Sequence, residues 1–516
     1  MPTPSFPFDD SLRNSPRDGR TTPRRHAGDV AQPSLAASRV AFGVLVIGAL
    51  AIVLIASPFK SFELDRFFVP KELVLHATAL LVLLVCAWGA RATAITLDRV
   101  DTLLLAYVAL STISALLASD HVASTRALAV TWSGFVIFWS ARAVARAGLR
   151  TPLVVTVIVA VVTGAATGLL QAYGLRSEYA SLARAPGGTF GNRNFMAHLC
   201  VIGAPLLFWA TLTARRVWGV ALGTIAAMVL AGALVLSRTR AAWVALVVCM
   251  VLLAIPLWVT LRRVPGSGRR VILVGSAIGL GALSALFLPN HLNWKSDSPY
   301  LDSVRGVVDY SSGSGKGRLI QYKNTLRMAA AHPVLGVGPG NWPKYYPTFA
   351  TRRDPSLSRD DGRPANPWPS SDWMAMVAER GGLATIIFVI AYFGLLVGGW
   401  RRDDDADASA GDALAPLALA GTMLATAVVG TFDAVQLLAA PTFLVWLAFG
   451  ALCRPGKARH TWSPSSPGRQ GWFWAATLVT ALFAARSALQ MRAMSTNCES
   501  PGSFVMERCR TIVHGR

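Results

Sequence analysis

The side chains best equipped for chemistry in this sequence are arginines set beside glycine, asparagine and acidic residues at the borders of apolar segments. The first group is Gly187-Gly188-Thr189-Phe190-Gly191-Asn192-Arg193-Asn194-Phe195. Asn192 or Asn194 can cap the helix that follows, and N–H groups exposed at a helix start attract anions. The group is therefore either a plain cap or an anion-binding element that adds Arg193 and Asn194. The second is Ser237-Arg238-Thr239-Arg240-Ala241-Ala242-Trp243, a tight turn between two apolar stretches. Arginines so close to a membrane core either snorkel to headgroups or bind an anion. The third is Gly317-Arg318, a surface charge or a further cation at the start of a polar-apolar helix. The fourth runs from Pro367-Trp368-Pro369-Ser370-Ser371-Asp372-Trp373 to Ala378-Glu379-Arg380-Gly381-Gly382-Leu383. Adjacent Glu379 and Arg380 either compensate each other structurally or belong to a site. A guanidinium suits anion recognition because it keeps its proton and offers paired N–H donors to two oxygens at once.

Other motif matches fail. Gly313-Ser314-Gly315-Lys316-Gly317 lacks the leading glycine and the hydroxyl residue that a phosphate-binding loop requires. Gly336-Val337-Gly338 has no third glycine at the dinucleotide-binding spacing. Asp403-Asp404-Asp405 reads as a solvated acidic turn, the scattered histidines form no metal cluster, and the six cysteines contain no CxxC. No metal site and no cofactor are expected.

The elements that must hold these residues are apolar helices. Hydrophobic residues make up 53% of the chain and charged residues 15%, against about 25% charged in soluble proteins. This excludes an ordinary soluble enzyme and indicates an all-α polytopic membrane protein with twelve to thirteen transmembrane helices. The expected spans are 40–59, 73–90, 101–118, 128–147, 152–172, 195–213, 217–236, 240–260, 271–288, 382–400, 413–432, 436–453 and 471–489. Residues 1–38 read as a disordered cytoplasmic tail, 39–288 as the first set of helices and 289–372 as a long periplasmic loop. Residues 373–490 form the second set of helices, and 491–516 a periplasmic tail. Lys and Arg gather in alternate loops, which places the N-terminus in the cytoplasm. Within the long loop, 318–331 reads as an amphipathic helix at the membrane surface with Leu319, Tyr322 and Leu326 on one face. The net charge of +22 suggests membrane lipids rather than nucleic acid as the partner. By the expected topology about half of that surplus faces outward, where the positive-inside rule does not call for it. Cys498 and Cys509 would both face an oxidising compartment and are expected either to pair or to remain free thiols.

In order along the chain, several of these pieces resemble the O-antigen ligase and O-antigen polymerase superfamily of bacterial inner-membrane proteins. They are Phe68-Val69-Pro70-Lys71-Glu72, Gly191-Asn192-Arg193-Asn194, Thr239-Arg240-Ala241-Ala242-Trp243, and Gly317-Arg318. His332-Pro333-Val334-Leu335-Gly336-Val337-Gly338-Pro339-Gly340-Asn341-Trp342 and Ala378-Glu379-Arg380-Gly381 complete the set. The resemblance implies a metal-independent glycosyltransferase acting on the periplasmic face. It would move a glycan from a polyprenyl diphosphate-linked oligosaccharide donor to a glycan or lipid-linked acceptor hydroxyl, with a chain-length regulator as a possible partner. It implies that Arg240 and Arg318 act on the diphosphate as catalytic groups. Arg193, Asn194, Arg238, Glu379 and Arg380 would bind substrate. In the family's ligases a His-Asn pair stands ahead of the Ala-Glu pair; here Ser370 and Ser371 occupy that place. The departure favours a polymerase-like or divergent member, in which either the adjacent Asp372 takes the acceptor proton or the arginines alone suffice. The alternatives are a flippase for the lipid-linked glycan and a catalytically inactive member.

Overall fold

The computed structural model describes residues 35–59, 64–89, 95–181, 184–264, 266–294, 296–307, 313–359, 362–400, 410–454, 456–463 and 466–498. The expected Cys498–Cys509 pair and Asp403-Asp404-Asp405 involve residues outside that set.

The chain opens with α1 (Leu35–Leu54), α2 (Asp65–Gly89), α3 (Arg99–Leu116) and α4 (His121–Val144). These are followed by α5 (Arg150–Ala172), α6 (Arg193–Thr213), α7 (Val217–Ser237), α8 (Arg240–Leu261) and α9 (Ser267–Phe287). The long segment carries three shorter helices, α10 (Pro299–Arg305), α11 (Gly313–Ala331) and α12 (Trp342–Phe349). Then come α13 (Asp372–Gly399), α14 (Ala410–Phe432), α15 (Ala439–Leu452) and α16 (Pro467–Cys498). Among the described residues, eleven helical stretches are long and apolar enough to cross a membrane, and α15 is a shorter apolar helix. One of the eleven, His121–Ala172, is 52 residues long. It breaks at Gly148, φ 85°, into α4 and α5. Each expected span thus overlaps an observed helix, and the all-α polytopic architecture is as the composition requires.

Local sequence explains the helix ends. Asp98 and Asp101 form a reciprocal capping box at α3. Asp120 caps α4, Asn192 caps α6 and Ser371 caps α13. Several helices begin earlier than hydropathy alone suggests. The polar start of α2 is helical from Asp65, and α13 is helical from Asp372, because their charged residues are bonded inside the protein instead of facing lipid. Arg126 on α4 binds both Glu72, at 2.9 Å, and Asp65, at 2.8 Å, on α2. Partnered charges of this kind are tolerated at membrane depth, where lone ones are costly.

Burial separates two kinds of apolar helix. Every residue of α15 is buried. Its Trp446 meets the rings of Phe135 at 4.6 Å and Phe449 at 5.5 Å, forming the centre of the bundle. By contrast α8 buries only Ala242 and Ala245, and Met250, Val251, Leu252 and Ile255 remain open. An apolar face of that extent, at a mean hydropathy of 2.7 over its best window, suits contact with lipid chains.

Successive helices alternate in direction, so the helix junctions sort to two ends. One end gathers the junctions α3–α4, α5–α6, α7–α8 and the long segment. The opposite end carries a two-stranded antiparallel pairing of β1 (Ile95–Leu97) with β2 (His460–Trp462) and the Arg142–Asp98–Asp101 ion pairs.

Candidate active site at the long-segment end

The site is built on the N-termini of α6 and α8 and on one stripe of α11. The α7–α8 turn is tight because Arg238 adopts the left-handed conformation, φ 53°, uncommon for a residue with a side chain. That geometry sends the Arg238 and Arg240 side chains into the long segment. Arg238 Nε donates to Ser303 Oγ on α10, 2.8 Å, and its guanidinium lies 4.6 Å from the centre of the Trp294 ring. Arg193 approaches the same ring at 5.1 Å, so one indole carries two guanidiniums. Burial pulls the pKa of Arg238 down, opposed by neighbouring Tyr300 and Asp302, but an arginine stays charged.

Arg240 donates to the carbonyl of Gly306 and, at 2.5 Å, to Ser314 Oγ in the first turn of α11. Ser314, Arg318 and Tyr322 are spaced four apart, hence aligned on one side of that helix. Arg318 therefore lies one turn beyond the contact with Arg240. Its Nε is buried and has no hydrogen-bond partner among the described residues. Tyr322 OH donates to the carbonyls of Ser370, 2.9 Å, and of Thr431. The stripe thus runs from the α8 start across to the α13 start and the α14–α15 turn.

Asn194 ties the other side together. Its Oδ1 accepts from Thr239 Oγ1 at 3.2 Å, and its Nδ2 faces Asp433 Oδ2 at 3.4 Å. One turn further along α6 is His198, 1% exposed, with neither ring nitrogen bonded. Asp433 and Arg318 are the charged groups it feels. Beneath them, Trp368 packs edge-on against Phe68 at 5.1 Å and lies 6.3 Å from Phe195.

The expected site residues fall into two groups. Arg193, Asn194, Arg238, Arg240 and Arg318 converge on this region. Glu379 and Arg380 do not: both are buried, at 3% exposure each. Arg380 donates to Tyr107 OH at 2.7 Å and Thr131 Oγ1 at 2.8 Å, and Glu379 accepts from the Trp342 amide at 3.2 Å. Around them the glycine-rich turn docks by its backbone on a break in α13. The Val337 amide donates to Ala378 O, Gly338 to Glu379 O, and Gly382 to Pro333 O, at 2.8–3.0 Å. Gly381, φ 81°, makes the break, and a Cβ there would stand 2.0 Å from the carbonyl oxygen of Val334.

Asp372 lies at the edge of the site with its carboxylate already engaged. It is 2% exposed and accepts the Val435 and Gln436 amides at 2.9 and 3.0 Å. Its geometry is that of a clamp on the α14–α15 turn. The amphipathic helix expected at 318–331 lies within α11, with its leucines open and its polar face inward. Gln321, Asn324 and Thr325 are buried, while Leu319 and Leu326 are 51% and 48% exposed. Asn324 and Tyr346 both donate to Asp354 Oδ2, at 2.8 and 2.7 Å, so the polar side is the bonded one.

Sequence reasoning missed Asp433, His198 and Trp294. Each sits in an apolar or unremarkable stretch, and only the fold brings them to the arginines.

Fold and site define a polytopic membrane protein with a cationic cluster at one end of its bundle. Residues 225–366 match the family model described as O-antigen ligase. The match begins within α7 and ends after α12, covering Arg238, Arg240, Arg318 and the glycine-rich turn. That stretch of the chain is therefore similar to the O-antigen ligase family. A comparison with curated proteins finds no match to this chain.

Proposed function

We propose that the protein transfers a glycan from a polyprenyl diphosphate carrier to an acceptor hydroxyl on the periplasmic face of the bacterial inner membrane. The observation that carries this reading is the convergence of Arg240 and Arg318 through Ser314 and the α11 stripe, beside Arg193 and Arg238 on Trp294. A diphosphate leaving group gains negative charge on its oxygens as the glycosidic bond breaks. Fixed guanidiniums in a partly dry site oppose that charge without reorganising, and they can do so with no metal. Attack by the acceptor from the opposite face inverts the anomeric carbon.

The orientation rests on the arrangement of the junctions. The end opposite the site carries Arg99, Arg215, Arg216, Arg262, Arg263, Arg269 and Arg270 at helix termini, which by the positive-inside rule is the cytoplasmic side. The site then faces the periplasm, where the excess arginines of the other end meet diphosphate and anionic headgroups. Ser370 and Ser371, in place of a His-Asn pair, favour a polymerase or divergent ligase over a lipid A-core ligase. A lipid-linked or glycan acceptor and a chain-length regulator are the partners this implies.

The test is the surface polysaccharide of cells carrying Arg240→Ala or Arg318→Ala. Long-chain polymer should disappear while the protein still inserts; normal polymer in both variants would contradict the proposal.

A further inference from the structure

Resting on the transfer reading, we infer that Asp433 accepts the proton of the acceptor hydroxyl and that His198 behind it is the positioning group. The two carboxylates that flank the α14–α15 turn, Asp372 and Asp433, differ in what they can do. Asp372 is buried and holds two backbone amides at 2.9 and 3.0 Å. Asp433 is partly exposed. The hydrogen bonds to its carboxylate among the described residues are the amide of the next residue, Ala434, at 2.9 Å and the long approach of Asn194 Nδ2 at 3.4 Å. Both carboxylates keep lone pairs free, but only that of Asp433 is open to an incoming hydroxyl.

The turn that carries Asp433 is fixed from three sides. Asp372 binds its amides, Ser371 Oγ donates to Gly430 O at 3.1 Å, and Tyr322 binds Thr431 O. A general base needs this kind of support, because misplacement by an ångström erodes its effect. The same turn brings Asp433 to Asn194, whose other side holds Thr239 beside Arg240.

His198 is the independent observation. A fully buried imidazole with both nitrogens unbonded costs about 1–3 kcal/mol, a cost that bonding in the working complex would offset. Among the described residues the charged groups acting on it are Asp433 and Arg318, from the α14–α15 turn and from α11. Arg318 Nε is likewise buried and unbonded.

The step balances as follows. The acceptor oxygen forms its bond to the anomeric carbon as the bond from that carbon to the diphosphate oxygen breaks. The electron pair leaves on the diphosphate, opposite Arg240 and Arg318. The hydroxyl proton passes to Asp433, which His198 would bond in the working complex and which releases the proton to water from its exposed side.

The experiment uses the full-length protein in nanodiscs with a polyprenyl diphosphate-linked oligosaccharide, measuring donor binding and glycosidic bond formation separately. Asp433→Asn should lower transfer by about a hundredfold or more with donor affinity retained, and Asp433→Glu should recover part of it. His198→Ala should lower kcat on the order of tenfold with donor affinity retained, and His198→Gln, which still hydrogen-bonds, should lose less. Transfer by Asp433→Asn within threefold of wild type would overturn the assignment, as would loss of donor binding in step with loss of transfer. Absence of product from the wild-type control would instead overturn the functional reading on which the assignment rests.

Discussion

At the residue scale the arginines do not share one task. Arg240 and Arg318 stand nearest the α11 stripe, and Arg193 and Arg238 stack on Trp294. Removing Arg318, whose Nε has no partner to lose, should leave stability close to wild type and lower kcat by about 10²–10³. A thermal unfolding curve beside a turnover assay reads both quantities. Asp372→Ala should act differently. It leaves two buried amides unbonded, at a cost of about 1–3 kcal/mol each, so loss of the folded protein should accompany any loss of transfer. The arginines were legible in the sequence because their type and their position at helix borders are unusual in a membrane chain. Asp433 and His198 were not, since a lone carboxylate after an apolar run and a lone histidine inside one carry no local pattern. Only the long-range packing of α6, α11 and the α14–α15 turn gives them a meaning.

At the element scale, two of the motifs that carry the resemblance turn out to bind each other. The segment His332–Trp342 and the segment Ala378–Gly381 form a backbone ladder across the break in α13. Asn341 then fastens the turn to the start of α4 through Ser124 Oγ at 2.8 Å and the Asp120 amide at 3.0 Å. This joint sets the height at which α11 crosses the end of the bundle, and so the place of Arg318. Gly381→Ala should collapse it, because φ 81° and a Cβ 2.0 Å from a backbone oxygen leave no space to relax. The expected result is loss of detergent-extractable monodisperse protein, checked by size-exclusion chromatography. The sequence pattern exposed the glycine-rich turn but not its partner. Pairing between residues some forty positions apart depends on the reversal of chain direction that α12 provides. The pattern placed Leu319 and Leu326 on one face of a surface helix, and both are open in the fold; it could not show that Gln321, Asn324 and Thr325 find bonds that only the folded segment supplies.

At the scale of the whole molecule, the alternation of apolar helices was readable from hydropathy alone, and every expected span has a counterpart. What hydropathy could not distinguish was a central helix from a lipid-facing one: α15 and α8 are both strongly apolar, yet one is wholly buried and the other buries only Ala242 and Ala245. The excess positive charge is divided between two ends, and the account assigns the long-segment end to the periplasm. Single cysteines at Lys344 and at Arg262 should then be labelled by a membrane-impermeant thiol reagent from opposite sides of the membrane; labelling of both from the same side would contradict that assignment. The central claim is that this end makes glycosidic bonds, and its most direct test is purified protein incubated with a polyprenyl diphosphate-linked oligosaccharide. The account predicts a lengthened or transferred glycan and released polyprenyl diphosphate with wild-type protein, and neither with Arg318→Ala. Movement of the lipid-linked glycan across the bilayer with no new bond, or no reaction of any kind, would contradict it.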